Sequence, residues 1–249
     1  MSTEVSTKKK STELSFLALE EGSDVAEAIE ANLTGGEVMN EQDLVQVKIP
    51  TGGSTTWEFD DITGVVETKT LTGICVYWGA GGLLWPTQEI GGRSTPLLVT
   101  SDLVTARKVG DDYGDLDEAM IESFRNPDGS YDWVGLSGTS SSPLGFGSGR
   151  NGGKRVDEHR NICLLRESDT FPVMIRVKAG SFSTILPFVK KLPVPFYRAI
   201  LELSLEKVEN QTGQTFSRIM PRLAGTLTRE QGEIIRSTYT AGLKQTFER

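Results

Sequence analysis

One histidine, His159, and two cysteines, Cys75 and Cys163, bound the metal and nucleophile chemistry open to this 249-residue chain. His159 lies among Asp157, Glu158 and Arg160 in a polar stretch, and no Gly-x-Ser-x-Gly elbow supplies a serine for it to activate, so a catalytic imidazole is not expected. Cys75 sits in the apolar run 74–78 and Cys163 in 162–165, so both read as buried strand thiols. Together with His159 they fall short of the ligand set of a Cys/His zinc site. The acids Asp111, Asp112, Asp115, Asp117 and Glu118 lack the alternation and central glycine of a calcium loop and read as a solvated face. The Gly-Ala-Gly-Gly run 79–82 has neither the Gly-Lys-Ser/Thr of a phosphate-binding loop nor the helix and ribose-binding acid of a dinucleotide site. Paired carboxylates of the glycosidase kind leave no short signature, and nothing points to them. The expectation is a protein without catalytic residues, metal or cofactor.

The positive signal is an interleaving of cations with aromatic rings. Arg150, Lys154, Arg155, Arg160, Arg176, Lys178, Lys190, Lys191, Arg198, Arg218 and Arg222 are spread over strands and loops, accompanied by Phe146, Phe182, Phe188, Tyr197 and Phe216. A protein that holds a nucleic-acid single strand needs cations for the phosphates and ring faces for the bases. Duplex readers concentrate their basic residues on a recognition helix, and no helical pattern here does so. Phe182, Phe188 and Phe216 read more readily as core, which leaves Phe146, Tyr197 and Trp85 as stacking candidates, Trp85 because it falls in the loop-like stretch 83–87. The candidate nucleic-acid-binding set is therefore Arg150, Lys154, Arg155, Arg160, Arg176, Lys178, Phe146, Tyr197 and Trp85.

The elements that must position these residues follow from hydrophobic period. A helical spacing covers residues 14–33, and Gly35-Gly36 stops it. Val45, Val47 and Ile49 alternate with polar neighbours, and 55–59 alternates again after a Pro/Gly turn. The β-branched and aromatic runs 62–67 and 70–78 suggest an antiparallel pair, ending in a flexible loop at Gly79–Gly82. Asn126-Pro127-Asp128-Gly129 is a strong turn signal. Residues 137–160 are rich in Ser, Gly and cations and read as a long functional or mobile loop. Strands follow at 161–166 and 171–177, then a helix over 182–192 stopped by Pro193 and Pro195, a long strand at 199–207, a turn at 210–213 and a returning strand at 215–223. Thr228 with Gln231 three residues on forms a capping box for a helix over 228–247.

Length allows one large or two small domains. Hydrophobic residues are 37% and charged residues 24%, and the 27 glycines exceed the usual share, which favours many turns and short strands. No run is long and apolar enough to cross a bilayer, and the Lys-rich start 8–10 precedes no signal-peptide core, so a reducing cytoplasm and no membrane partner are expected. Residues 1–13 cannot build a core and are expected to be disordered. The net charge of −8 is unevenly distributed: residues 1–136 carry 9 Lys and Arg against 24 Asp and Glu, whereas 137–222 carry 13 against 7. A basic second half suits a polyanion, while the acidic segment 110–132 could lie across the basic groove as a mimic of phosphate.

The run from Phe171 to Gln231, FPVMIRVKAGSFSTILPFVKKLPVPFYRAILELSLEKVENQTGQTFSRIMPRLAGTLTREQ, resembles phage and mobile-element proteins related to phage single-stranded-DNA-binding proteins. The start, LSFLALEEGSDVAEAIEANL followed by DLVQVKIPTGG, is similar to the start of the same group. The resemblance spans 14–78 and 160–247 and leaves out the middle. It implies a small β-barrel of the oligonucleotide-binding type that binds single-stranded DNA in replication or recombination, with a replication or recombination protein as a possible further partner. Relatives often carry a cysteine-containing segment where this chain has Ser140, Ser141 and Ser142, so no metal role of that segment transfers. The expected fold is mainly β (α+β), a partly open antiparallel barrel over 14–249 with flanking helices, an acidic insertion at 79–136 and the basic loop at 137–160. The competing reading is a protein-interaction or structural module with no nucleic-acid ligand, and a carboxylate enzyme near Asp111–Glu122 is a third.

Overall fold

The computed structural model describes residues 15–20, 27, 31–32, 43–86, 95–109, 118–137, 155–210 and 213–247. The 1–13 segment, most of the helix expected over 14–33, the acids Asp111–Asp117 and the greater part of the 137–160 loop lie outside these residues.

Among the described residues, alternating and β-branched runs give eleven strands: β1 (Val45–Val47), β2 (Trp57–Asp61), β3 (Gly64–Thr68), β4 (Thr70–Leu84), β5 (Leu98–Thr100), β6 (Thr105–Lys108), β7 (Tyr131–Asp132), β8 (Val156–Leu165), β9 (Val173–Lys178), β10 (Ala199–Glu209) and β11 (Thr215–Thr226). The described helices are α1 (Glu118–Glu122), α2 (Trp133–Ser137), α3 (Phe182–Lys190), α4 (Arg229–Ile235) and α5 (Ala241–Phe247), the last two joined by a π turn over Arg236–Thr240. The Thr228–Gln231 capping box forms as its sequence signature requires, with the Thr228 hydroxyl accepting from the Gln231 amide. None of these helices is long and apolar enough to cross a membrane.

β4 is the spine. One of its edges bonds β8 along 74–84, while the other is shared between β10 at 70–74 and β5 at 82–84. Outward from β8 come β9 and then β1; outward from β10 comes β11, and outward from β5 come β6 and β7. β1 runs parallel to β9, so the sheet is mixed and not antiparallel throughout as expected. Its two far edges approach each other. Thr51, beyond β1, forms a single bridge with Phe216 of β11, and the Ser217 hydroxyl donates to the Ser54 carbonyl at 2.7 Å. That contact is a bridge and not a ladder, so the described strands form no closed barrel.

Alternation places a core on each face of this sheet. Val173, Ile175 and Val177 of β9 join Leu201, Leu203 and Leu205 of β10 on one face, under α3. Met174, Cys163, Tyr77 and Ile74 join Ile235, Tyr239 and Leu243 of the C-terminal helices on the other. A third core gathers Leu84, Leu97, Leu98, Ile121, Tyr131, Trp133 and Leu136. Trp57 is fully buried in the first core and its indole N–H donates to the Leu203 carbonyl at 3.0 Å. Truncating a side chain of that size costs about 3–5 kcal/mol.

Three expectations fail for identifiable reasons. The 62–67 run does not pair with 70–78. It pairs with 57–61 as the hairpin β2–β3, because Asp61 accepts from both the amide and the hydroxyl of Thr63 and Gly64 takes a φ of 117°, which together put a turn at 62–63, inside the run expected to be a strand. Gly79–Gly82 is not a loop but the continuation of β4: large side chains of the sheet lie where β-carbons would be, Tyr77 over Gly79 and the His159 imidazole over Gly81. Residues 156–160 belong to β8, so His159 is in a strand and not in a polar loop. The acidic segment, where described, builds structure: Ile121 and Tyr131 of 118–132 are buried in the third core.

Candidate nucleic-acid interface

β1 and β9 end, and β11 begins, at the same end of the sheet, and a cleft of about 790 Å³ opens there. Its floor is apolar, with Val47, Ile49, Pro50 and Phe216, and its charged walls are Lys48, Arg176 and Lys178. Gln46, Gln214, Ser181 and Ser217 add hydrogen-bonding groups, and no carboxylate is among the described residues that line it. The strands dictate this arrangement. β1 buries Val47 in the first core and turns Gln46 and Lys48 outward. β9 likewise buries Ile175 and Val177 and leaves Arg176 and Lys178 on the other face. Phe216 is half-buried, with its ring edge where a β-carbon on Gly180 would come within 3.0 Å, so a residue lacking a side chain makes room for the ring.

Of the residues expected to bind nucleic acid, Arg176 and Lys178 reach this cleft. Lys178 also meets Asp157 at 2.8 Å, an exposed pair of the kind that water and salt weaken. Arg160, on the opposite face of the sheet from Arg176, lies over the Phe182 ring at 5.3 Å and donates to the His159 carbonyl. Arg155 is buried and donates twice to the Trp85 carbonyl, at 3.1 and 3.2 Å. That pair ties the end of β4 to the start of β8 and has a structural role. Trp85 is half-buried just past β4 and is not part of the cleft wall. Tyr197 packs against the second core, edge-on to Phe196 with ring centroids 5.6 Å apart. Arg150, Lys154 and Phe146 fall outside the described residues.

The other cations of the basic half are sorted by their partners. Arg218 pairs with Glu206 and Arg222 with Glu202 across the β10–β11 ladder, and Arg198 donates to the Leu227 carbonyl. Lys48 and Phe216 are cleft residues that the sequence reading missed. The alternation Val45-Gln46-Val47-Lys48 was a usable signal for Lys48, since it sets every second side chain outward. Phe216 offered none beyond its apolar type, which favoured the core.

His159 is buried beside this end of the sheet, opposite Lys178 in the β8–β9 register. Burial first, and then the Arg176 charge, pull its pKa down to about 4, so the imidazole is neutral near pH 7. Cys75 is buried, which pushes its thiol up to about 12 and keeps it protonated. Among the described residues no cluster of His, Cys, Asp and Glu is placed to hold a metal ion. No family model, curated protein or solved structure matches the chain.

Proposed function

We propose that the chain binds single-stranded nucleic acid without catalysis, through the cleft between β1, β9 and β11, and that it serves phage-type DNA replication or recombination as a sheet of the oligonucleotide-binding type. The observation that carries this reading is the cleft's charge: every charged residue among the described lining is a cation, in a protein whose total is −8. Phosphates would be held by Lys48, Arg176 and Lys178 with release of counterions, and a base would stack on Phe216. No described helix presents a row of cations to a duplex groove, whereas the cations of the cleft come from strands and their ends.

A fluorescence-anisotropy titration of a labelled oligonucleotide of about 30 bases, long enough for more than one site of this kind, tests the reading against its duplex form. Three phosphate contacts give a slope of about −2 in log affinity against log salt, and Lys48→Ala removes roughly 0.7 of it. Phe216→Leu keeps the packing on Gly180 but loses stacking, which weakens binding by about 1–3 kcal/mol. Absence of binding at low salt, or equal affinity for the duplex, would overturn the proposal.

A further inference from the structure

The hairpin β2–β3 has two faces of opposite character. Trp57 and Phe59 are buried in the first core, while Glu58, Asp60, Val65 and Glu67 are exposed on the outer face. Glu58 stands directly across the ladder from Glu67, and like charges in that position repel. Among the described residues no cation forms an ion pair with Glu58, Asp60 or Glu67, and the neighbouring Lys69 donates instead to the Thr56 hydroxyl at 2.7 Å. At the tip, Ile62 is 99% exposed and Val65 66% exposed. An acidic strand face that ends in two bare aliphatic side chains is complementary to a cleft with an apolar floor and three cationic walls.

The two features cannot meet within one chain. Asp61, at the tip, accepts from Arg166 at 2.8 Å, just past the end of β8, whereas Lys178 of the cleft is paired with His159, seven residues earlier on the same strand. At roughly 3.3 Å per residue they are about 23 Å apart, at opposite ends of the sheet. Asp61 itself is tied down: the Thr63 hydrogen bonds and then Arg166 hold its carboxyl at about 2, so the tip keeps its shape.

We infer that the β2–β3 tip of one copy seats in the cleft of a second copy, Ile62 and Val65 against Ile49 and Phe216, and the hairpin carboxylates against Lys48, Arg176 and Lys178. The contact is head-to-tail, so each dimer presents one unused tip and one unused cleft, and repetition builds a ring or a filament. A single strand and the hairpin then compete for the same cations. This competition rests on the nucleic-acid reading; the contact between copies does not.

Sedimentation velocity at low salt without nucleic acid tests the contact. The unaltered chain is expected to gain mass with concentration, and Ile62→Asn and Lys178→Glu are each expected to stay monomeric where it associates. An equimolar mixture of the two variants is expected to reach twice the monomer mass and stop, because one intact tip meets one intact cleft and nothing remains to extend it. A monomer at all concentrations, a single variant that still associates, or a mixture that does not recover the dimer would each overturn the inference. Adding a single-stranded oligonucleotide is expected to dissolve the assembly. If the mixture behaves as stated but the oligonucleotide leaves it intact, the nucleic-acid reading fails and the contact stands.

Discussion

His159 has the residue type of a catalytic or metal-binding group, and β8 buries it beside the Arg176 charge. Burial and the Arg176 charge hold its pKa near 4 in the folded chain, against an ordinary value of about 6.5 when unfolded. The sign follows directly. Below pH 6.5 the unfolded chain takes up a proton that the folded chain refuses, so stability is complete above that pH and falls as pH drops toward 4. The full loss is on the order of 3 kcal/mol, and the part between pH 6.5 and about 5 precedes most carboxylate titration. His159 is the chain's one histidine, so that limb belongs to it. Urea midpoints measured across this range should therefore decline for the wild-type chain and stay level for His159→Asn; parallel slopes would show that burial does not suppress its protonation.

At the scale of elements, legibility followed locality. The strands at 199–207 and 215–223 and the helix from Thr228 were readable because alternation and a capping box are written in adjacent residues. The same alternation sets Arg176 and Lys178 on the face of β9 opposite Val173, Ile175 and Val177. Lys48 was obscured by its place in the acidic half, although its own strand pattern pointed outward. The glycines of β4 were misread because glycine's local preference is for turns, whereas here large side chains occupy the space of a β-carbon, Tyr77 at Gly79, His159 at Gly81 and Trp133 at Gly82. A β-carbon on Gly82 would stand 2.4 Å from the Trp133 ring and 2.8 Å from the Thr100 methyl, both buried. Gly82→Ala is accordingly expected to destabilise by about 1–3 kcal/mol through overpacking. Gly242 is the control: it lies in α5 with nothing within 4 Å of a β-carbon, and Gly242→Ala should stabilise by roughly 0.5–1 kcal/mol. Thermal melts of the two variants check the pair, and equal shifts would mean that neighbour contacts do not govern the β4 glycines.

Across the whole molecule, the three cores are not equally connected. The first two share β4, β8, β9 and β10, whose opposite faces they cover, so opening one exposes the other. The third stands beyond the ends of β4 and β8 and is reached through short pairings, three residues of β5 on β4 and two of β6 on β5. It depends on Trp133, fully buried with its indole donating to Glu158 at 3.2 Å, and on the Tyr131 hydroxyl donating to Glu122 at 2.7 Å. Cooperative units follow such boundaries of buried contact. Amides of β5 and β6 should therefore exchange through a partial opening of lower free energy than amides of β8, β9 and β10. Trp133→Ala, which removes about 3–5 kcal/mol of buried contact, should deepen that difference and leave the β9 and β10 amides nearly unchanged. Native-state hydrogen exchange reads this residue by residue. A uniform loss of protection across all three cores would mean that the long strands transmit the damage, and that the region read as an acidic insertion is energetically part of the same sheet that carries the cleft.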